Sequence, residues 1–175
     1  IAQKSLTGNS VPYRETCKNA VVDEDTFRNF RSIEAYFQAV ECGQAGEFAD
    51  YIRKNASAKT LSLIPRFSKL DLYGNPVKHR LPRFGLFSGT TLRYILFADH
   101  ISQLFDLPPH YTAVEIGAGF GGQAYILSVL LPFAQYYIYD LPEVEALIDK
   151  MMGTLQVSHV TCLDALAELP VESAD

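Results

Sequence analysis

The residues best suited to chemistry lie together at Val114-Glu115-Ile116-Gly117-Ala118-Gly119-Phe120-Gly121-Gly122. The run follows a strand-like stretch and opens a helix-like one, the context in which a glycine turn cradles a ligand. Glycines at 117 and 119 permit a tight turn with close backbone approach. Gly121 and Gly122 let a helix N-terminus come near and present free N–H groups. The spacing Gly117-x-Gly119-x-x-Gly122 satisfies the dinucleotide fingerprint, and Asp140 stands where a ribose-binding acid belongs. No Gly-Lys-Ser/Thr follows the turn, which excludes a nucleoside triphosphate loop. Glu115 discriminates among the rest. A carboxylate beside a pyrophosphate is repelled, whereas beside a cationic aminosulfonium it is attracted. The expected ligand is therefore S-adenosylmethionine, and the two oxygens of Asp140 suit both hydroxyls of a ribose. A nicotinamide or flavin dinucleotide, and a non-catalytic interaction domain binding neither, are the alternatives.

These residues need elements to hold them. Thr112–Ile116 reads as a short strand, Gln123–Leu131 as an apolar helix closed by Pro132, and Tyr136–Tyr139 as a second strand ending at Asp140. Pro142–Met152 reads as a further helix and His159–Leu163 as a third strand. Such alternation with short connections predicts a parallel sheet with right-handed crossovers. Upstream the chain reads as helical. Asp23 to Thr26 supply acids and a cap, and Phe27, Phe30, Ile33, Phe37 and Val40 recur on one helical face. A shorter helix is expected over Ala45–Lys54, burying Phe48, Tyr51 and Ile52. Residues 61–87, broken by Pro65, Gly74-Asn75-Pro76, Pro82 and Gly85, predict loops, short strands or a hairpin. A second strong helix starts near Ser88 to Thr91 with Leu92, Ile95, Leu96, Ile101, Leu104 and Phe105 as its stripe, and ends before Pro108-Pro109.

The 175 residues are 48% hydrophobic and 20% charged, which suits a packed core rather than a disordered chain. No apolar run approaches the roughly 18 residues of a membrane helix. Cys17, Cys42 and Cys162 show no CxxC spacing, so a disulfide framework or zinc site is not expected, and free thiols fit a cytoplasmic protein. Charge is uneven along the chain. Residues 53–93 carry nine Lys/Arg against Asp71 alone, whereas residues 94–175 carry Lys150 against eleven acids. The acidic C-terminal part argues against nucleic acid as a partner. The basic stretch, with Lys78, Arg80 and Arg83, suits an anionic small-molecule or glycan substrate. His79, His100, His110 and His159 have no ligand-like spacing, and no catalytic base is legible.

The glycine run from Glu115 resembles the first motif of class I methyltransferases, and Tyr139-Asp140-Leu141-Pro142-Glu143-Val144 resembles the second-strand end of many O-methyltransferases. Together with Thr90-Thr91-Leu92-Arg93-Tyr94-Ile95, the chain is similar over about residues 88–165 to sugar O-methyltransferases of bacterial polysaccharide gene clusters. The resemblance implies that Gly117, Ala118, Gly119 and Gly121 line the methionine and ribose portion of the cofactor, with Glu115 near its amino group. It implies Asp140 at the ribose diol, Leu141 beside the adenosine, Asp164 near the adenine amino group, and Arg93 at the cofactor carboxylate or a substrate anion. The expected fold class is α/β, with a partial Rossmann-like methyltransferase sheet of about three parallel strands. A mainly helical region over residues 1–107 would cap the substrate side, and residues 108–175 would form the first half of the cofactor domain. The first strand would then be an open edge able to support a homo-oligomer, as expected of a truncated or partly observed longer protein.

Overall fold

Alternation in the last third of the chain does build a parallel sheet. The computed structural model describes residues 10–163. Its sheet is β3 (Thr112–Ile116), β4 (Gln135–Tyr139) and β5 (Val160–Cys162), all parallel in the order β3-β4-β5. The intervening helices are α7 (Gly122–Leu130) and α8 (Pro142–Leu155). Leu131 ends α7 just before Pro132, and Pro142 starts α8, where its fixed φ and missing N–H cost nothing.

The register decides which side chains share a face. Val114 lies opposite Tyr137 and Ile116 opposite Tyr139, while Ala113 pairs with Tyr136 and Glu115 with Ile138. Tyr136 and Ile138 are buried, and the face they share with Glu115 is the covered one. On the other face Val114 and Ile116 stay 44% and 67% exposed. Helix α7 joins β3 to β4 and α8 joins β4 to β5, as a parallel sheet requires, and no further strand pairs with β5 among the described residues. The outer edge of β3 likewise has no neighbouring strand there.

The N-terminal region is helical, as its pattern predicts. It comprises α1 (Val11–Val22), α2 (Glu24–Asn29), α3 (Glu34–Val40), α4 (Ala45–Asn55), α5 (Ala58–Phe67) and α6 (Gly89–Leu104), with a hairpin of β1 (Lys78–Leu81) and β2 (Gly85–Ser88) between the last two. Side-chain caps set several starts: Ser10, Asp23, Ser57 and Ser88 accept from the backbone N–H three residues on. Helix α1 lies along α8. Arg14 makes a two-point contact with Glu143 (2.7 and 3.1 Å), and the Lys150 ammonium caps the Ala20 and Val21 carbonyls at 3.1 Å. Helix α6 packs against both α4 and α7, burying Leu92, Ile95 and Ala98. One apolar core therefore runs across residues 107 and 108.

Three local expectations change. The helix expected through Phe27 to Val40 is broken by a 3-10 turn at Phe30–Ser32, because Arg31 turns inward to a buried ion cluster and its N–H donates to Gly74 O (3.0 Å). Helix α5 runs through Pro65, where a loop was expected. Pro65 removes one i→i−4 hydrogen bond, and the burial of Thr60, Ile64 and Phe67 on one face outweighs that loss. Leu104 and Phe105, expected in the α6 stripe, are 75% and 60% exposed, and Tyr51 of α4 is also exposed.

Candidate functional site

Strand β3 ends at Ile116 and delivers the chain into the glycine turn. The Gly117 N–H donates to Tyr139 O (3.0 Å), which ties the turn to the end of β4. Gly117 adopts φ +77°, and a Cβ there would meet no atom within 4 Å. The turn is therefore open at this point, and only glycine takes that backbone without strain. Beside it lies a cleft of about 710 Å³ at the C-terminal end of β3, bounded by the end of α3, by α6 and by the sheet. Arg93, Glu115, Gly117, Gly119 and Asp140 all line it.

Asp140 is the junction between turn and cleft. One of its oxygens accepts the Gly119 N–H (3.3 Å) and the other the Leu141 N–H (2.8 Å). Burial pushes its carboxyl above the ordinary aspartate range, and these backbone donors pull the other way. Glu115 rises from the covered face of β3. Loss of surrounding water pushes its carboxyl up to about 7, although the Tyr136 hydroxyl donates to it (3.0 Å) and favours the charged form. Arg93 is half-buried, with one guanidinium nitrogen donating to Val40 O (3.2 Å) and its plane 5.4 Å from the Tyr94 ring centre. The cleft thus sets a cation and two carboxylates around an open backbone turn, against an apolar wall including Phe97, Ile101 and Leu104.

Some residues singled out in the sequence stand elsewhere. Ala118 is buried, and Leu141 is the half-buried cap position of α8; neither lines the cleft. Gly121 turns its open side to α8, where a Cβ would come 2.8 Å from Met152 Cε and 3.2 Å from Ile148 Cγ2. Its glycine serves packing and a φ of +78°. Gly121→Ala is expected to cost about 1–2 kcal/mol from the left-handed backbone alone, and more because Met152 must move, with ligand affinity at the cleft unchanged. Urea midpoints read beside an S-adenosylhomocysteine titration check this, since lost affinity at full stability would place Gly121 in the site. Asp164 lies outside the described residues.

Other lining residues do not stand out in the sequence as site residues. Tyr13 and Val40 come from α1 and α3, and His100 is the one histidine of four to reach the cleft. Gln123 is the most informative. Its amide N–H donates to Tyr94 O (3.3 Å), while its carbonyl oxygen is buried without a partner. An orphan acceptor is costly unless a ligand supplies the donor. Its position, second in the helix that follows the turn, was a usable signal. The Tyr36 hydroxyl is a second buried orphan, 3.7 Å from where a Gly119 Cβ would stand. Among the described residues no group of three or more His, Cys, Asp or Glu side chains is placed to hold a metal ion, and no helix is long and apolar enough to cross a membrane. No family model, no curated protein and no solved structure matches the chain.

Proposed function

We propose that the cleft binds S-adenosylmethionine and that the chain is the cofactor-binding part of a Rossmann-like methyltransferase acting on a sugar hydroxyl. The observation that carries the reading is that Glu115 and Gln123, whose buried carbonyl oxygen has no partner, both line a cleft whose glycine turn is open at Gly117. Both are acceptors, so the complementary ligand brings positive charge and N–H donors. That requirement fits an aminosulfonium ligand and opposes a pyrophosphate. In this arrangement Glu115 and Gln123 receive the ammonium group, Arg93 faces the carboxylate, and the lone pairs of Asp140 left over from Gly119 and Leu141 take the ribose hydroxyls. Bound S-adenosylmethionine supplies an electrophilic methyl group. The chain's own part is to fix its orientation, and such positioning lowers a barrier by several kcal/mol. The sugar acceptor rests on the resemblance of the segments at Thr90–Ile95 and Tyr139–Val144.

The raised Glu115 carboxyl supplies the test. Below pH 7 it is mostly protonated and neutral, so a cationic ligand must displace that proton to gain the full attraction. Affinity for S-adenosylmethionine should rise about tenfold or more between pH 5.5 and 7.5, following the ionised fraction, with proton release seen as a buffer-dependent heat in calorimetry. Glu115→Gln should flatten the rise. Binding of NAD in place of S-adenosylmethionine would move the chain to dinucleotide-dependent oxidoreductases, and binding of neither at any pH would remove the reading.

A further inference from the structure

A second cleft, of about 720 Å³, lies at the opposite end of the sheet from the glycine turn. Its walls are the end of α5, the 3-10 turn Ser68–Leu72, the outer side of α7, and the segments that lead into β4 and β5. Arg66, Lys69 and His159 line it together with Ser68, Ser128 and Ser158, and no carboxylate does. A neighbouring hollow of about 540 Å³ shares Pro65, Ser68 and Leu72 with it and adds Lys78 and Arg80 from β1. The one acid of that hollow, Asp71, is buried and already accepts from Arg31, Ser88 and Thr91. The two clefts form one trough with four permanent cations and a histidine.

Two of the cations are anchored beside it. The Lys69 ammonium donates to Leu155 O (3.0 Å) and that of Lys78 to Asp71 O (3.3 Å), so each is anchored by one bond and keeps further donors. Arg66 and Arg80 are exposed and form no ion pair among the described residues. This concentration of positive charge sits on a chain with a net charge of −5, which as a whole repels anions. Attraction is therefore local to the trough. The trough shares no lining residue with the glycine cleft.

We propose that this trough is a binding site for an anionic oligosaccharide or sugar phosphate, separate from the glycine cleft. The serine hydroxyls suit sugar hydroxyl groups, and the cations suit carboxylate or phosphate substituents. Nucleic acid fits less well. Of the rings in the walls Tyr125 and Phe133 are buried, which leaves half-buried Phe84 and the His159 imidazole in place of a row of open aromatic faces for base stacking. The assignment stands whether or not the glycine cleft binds S-adenosylmethionine.

The test is calorimetric titration of the protein with tetragalacturonate and with glucose 1-phosphate, which separates carboxylate from phosphate as the anion. Maltotetraose serves as the uncharged control. Saturable binding of at least one charged probe is expected, weakening with added salt and absent for maltotetraose. Arg66→Glu and Arg80→Glu are exposed substitutions expected to preserve the fold, checked by an unchanged Tm. Each should weaken binding about tenfold and leave S-adenosylhomocysteine binding as it was. The proposal is overturned if neither charged probe binds, if both variants bind like the parent, or if a single-stranded oligonucleotide of equal charge binds more tightly than tetragalacturonate.

Discussion

An Arg31→Met variant should lose about 3–5 kcal/mol of unfolding free energy, as expected when one member of a buried ion cluster is removed. The guanidinium is fully buried and meets Glu41 at two points, Asp71 at 3.0 Å and the Ser88 hydroxyl at 2.9 Å. It also lies 4.5 Å from the ring centre of Phe120, inside the glycine turn. Without it two carboxylates remain buried beside each other with no cation, and that residual charge, more than the lost attraction, sets the size of the effect. Against a typical stability of about 5–15 kcal/mol the loss is a large fraction. Arg31→Lys should recover little, since an ammonium cannot serve both carboxylates and a hydroxyl in one plane. Arg28→Met is the control. Arg28 reaches Asp25 at 3.5 Å with both side chains mostly exposed, and such pairs contribute about 0–1 kcal/mol. Urea unfolding of the three variants decides the matter, and equal losses at positions 28 and 31 would mean that the buried cluster is not what holds α2 and α3 in place. Since Arg31 bears on Phe120, cofactor-type ligands should also bind Arg31→Met more weakly at temperatures where it is still folded.

This cluster also shows why the N-terminal half was less legible than the rest. The sheet and its two helices were readable because their signals are local: a five-residue apolar strand, a glycine turn, and prolines at 132 and 142 that end or begin a helix. The break at Phe30–Ser32 has no such signal. It depends on Glu41, ten residues on, and Asp71, forty residues on, and the helical spacing of Phe27, Phe30, Ile33 and Phe37 continues straight through it. Pro65 misled in the other direction, since a proline late in a helix removes a bond that the packing of Ile64 and Phe67 outweighs.

The site divides in the same way. Glu115, Gly117, Gly119, Asp140 and Arg93 come together in one cleft, and the first four belong to the two strand ends that local pattern located. Tyr13 and Val40 reach it through helix packing that no spacing records. The basic stretch was expected at the substrate side of the cofactor. Arg93 alone of its cations lines the glycine cleft, while Lys78 and Arg80 line the other trough. Gly121 is a subtler case. Its place in the motif suggested ligand contact, yet its missing side chain makes room for Met152. A glycine in such a run is equally well required by the helix behind it.

Glu115 should make stability fall as pH rises, the reverse of an ordinary ion-paired carboxylate. Its ordinary value is 4.5 and burial raises it to about 7 in the folded chain, with the Tyr136 hydroxyl opposing the shift and Asp140 adding to it. Between those values the folded state holds a proton that the unfolded state has released. The unfolding free energy then decreases with pH, by up to about 1.4 kcal/mol per unit and about 3 kcal/mol in all. Above pH 7 the carboxylate is charged in both states and the decline stops. Glu115→Gln keeps an acceptor for Tyr136 and has no charge to bury. It should match the parent at pH 5 and exceed it by about 2–3 kcal/mol at pH 8. The difference between the two curves is what counts, because every other titrating group is common to both. A difference that stays constant from pH 5 to 8 would show that the carboxyl is ionised and solvated in the folded chain. The electrostatic argument for a cationic ligand would then lose its basis, since the burial that weakens Glu115 is what makes an incoming positive charge valuable.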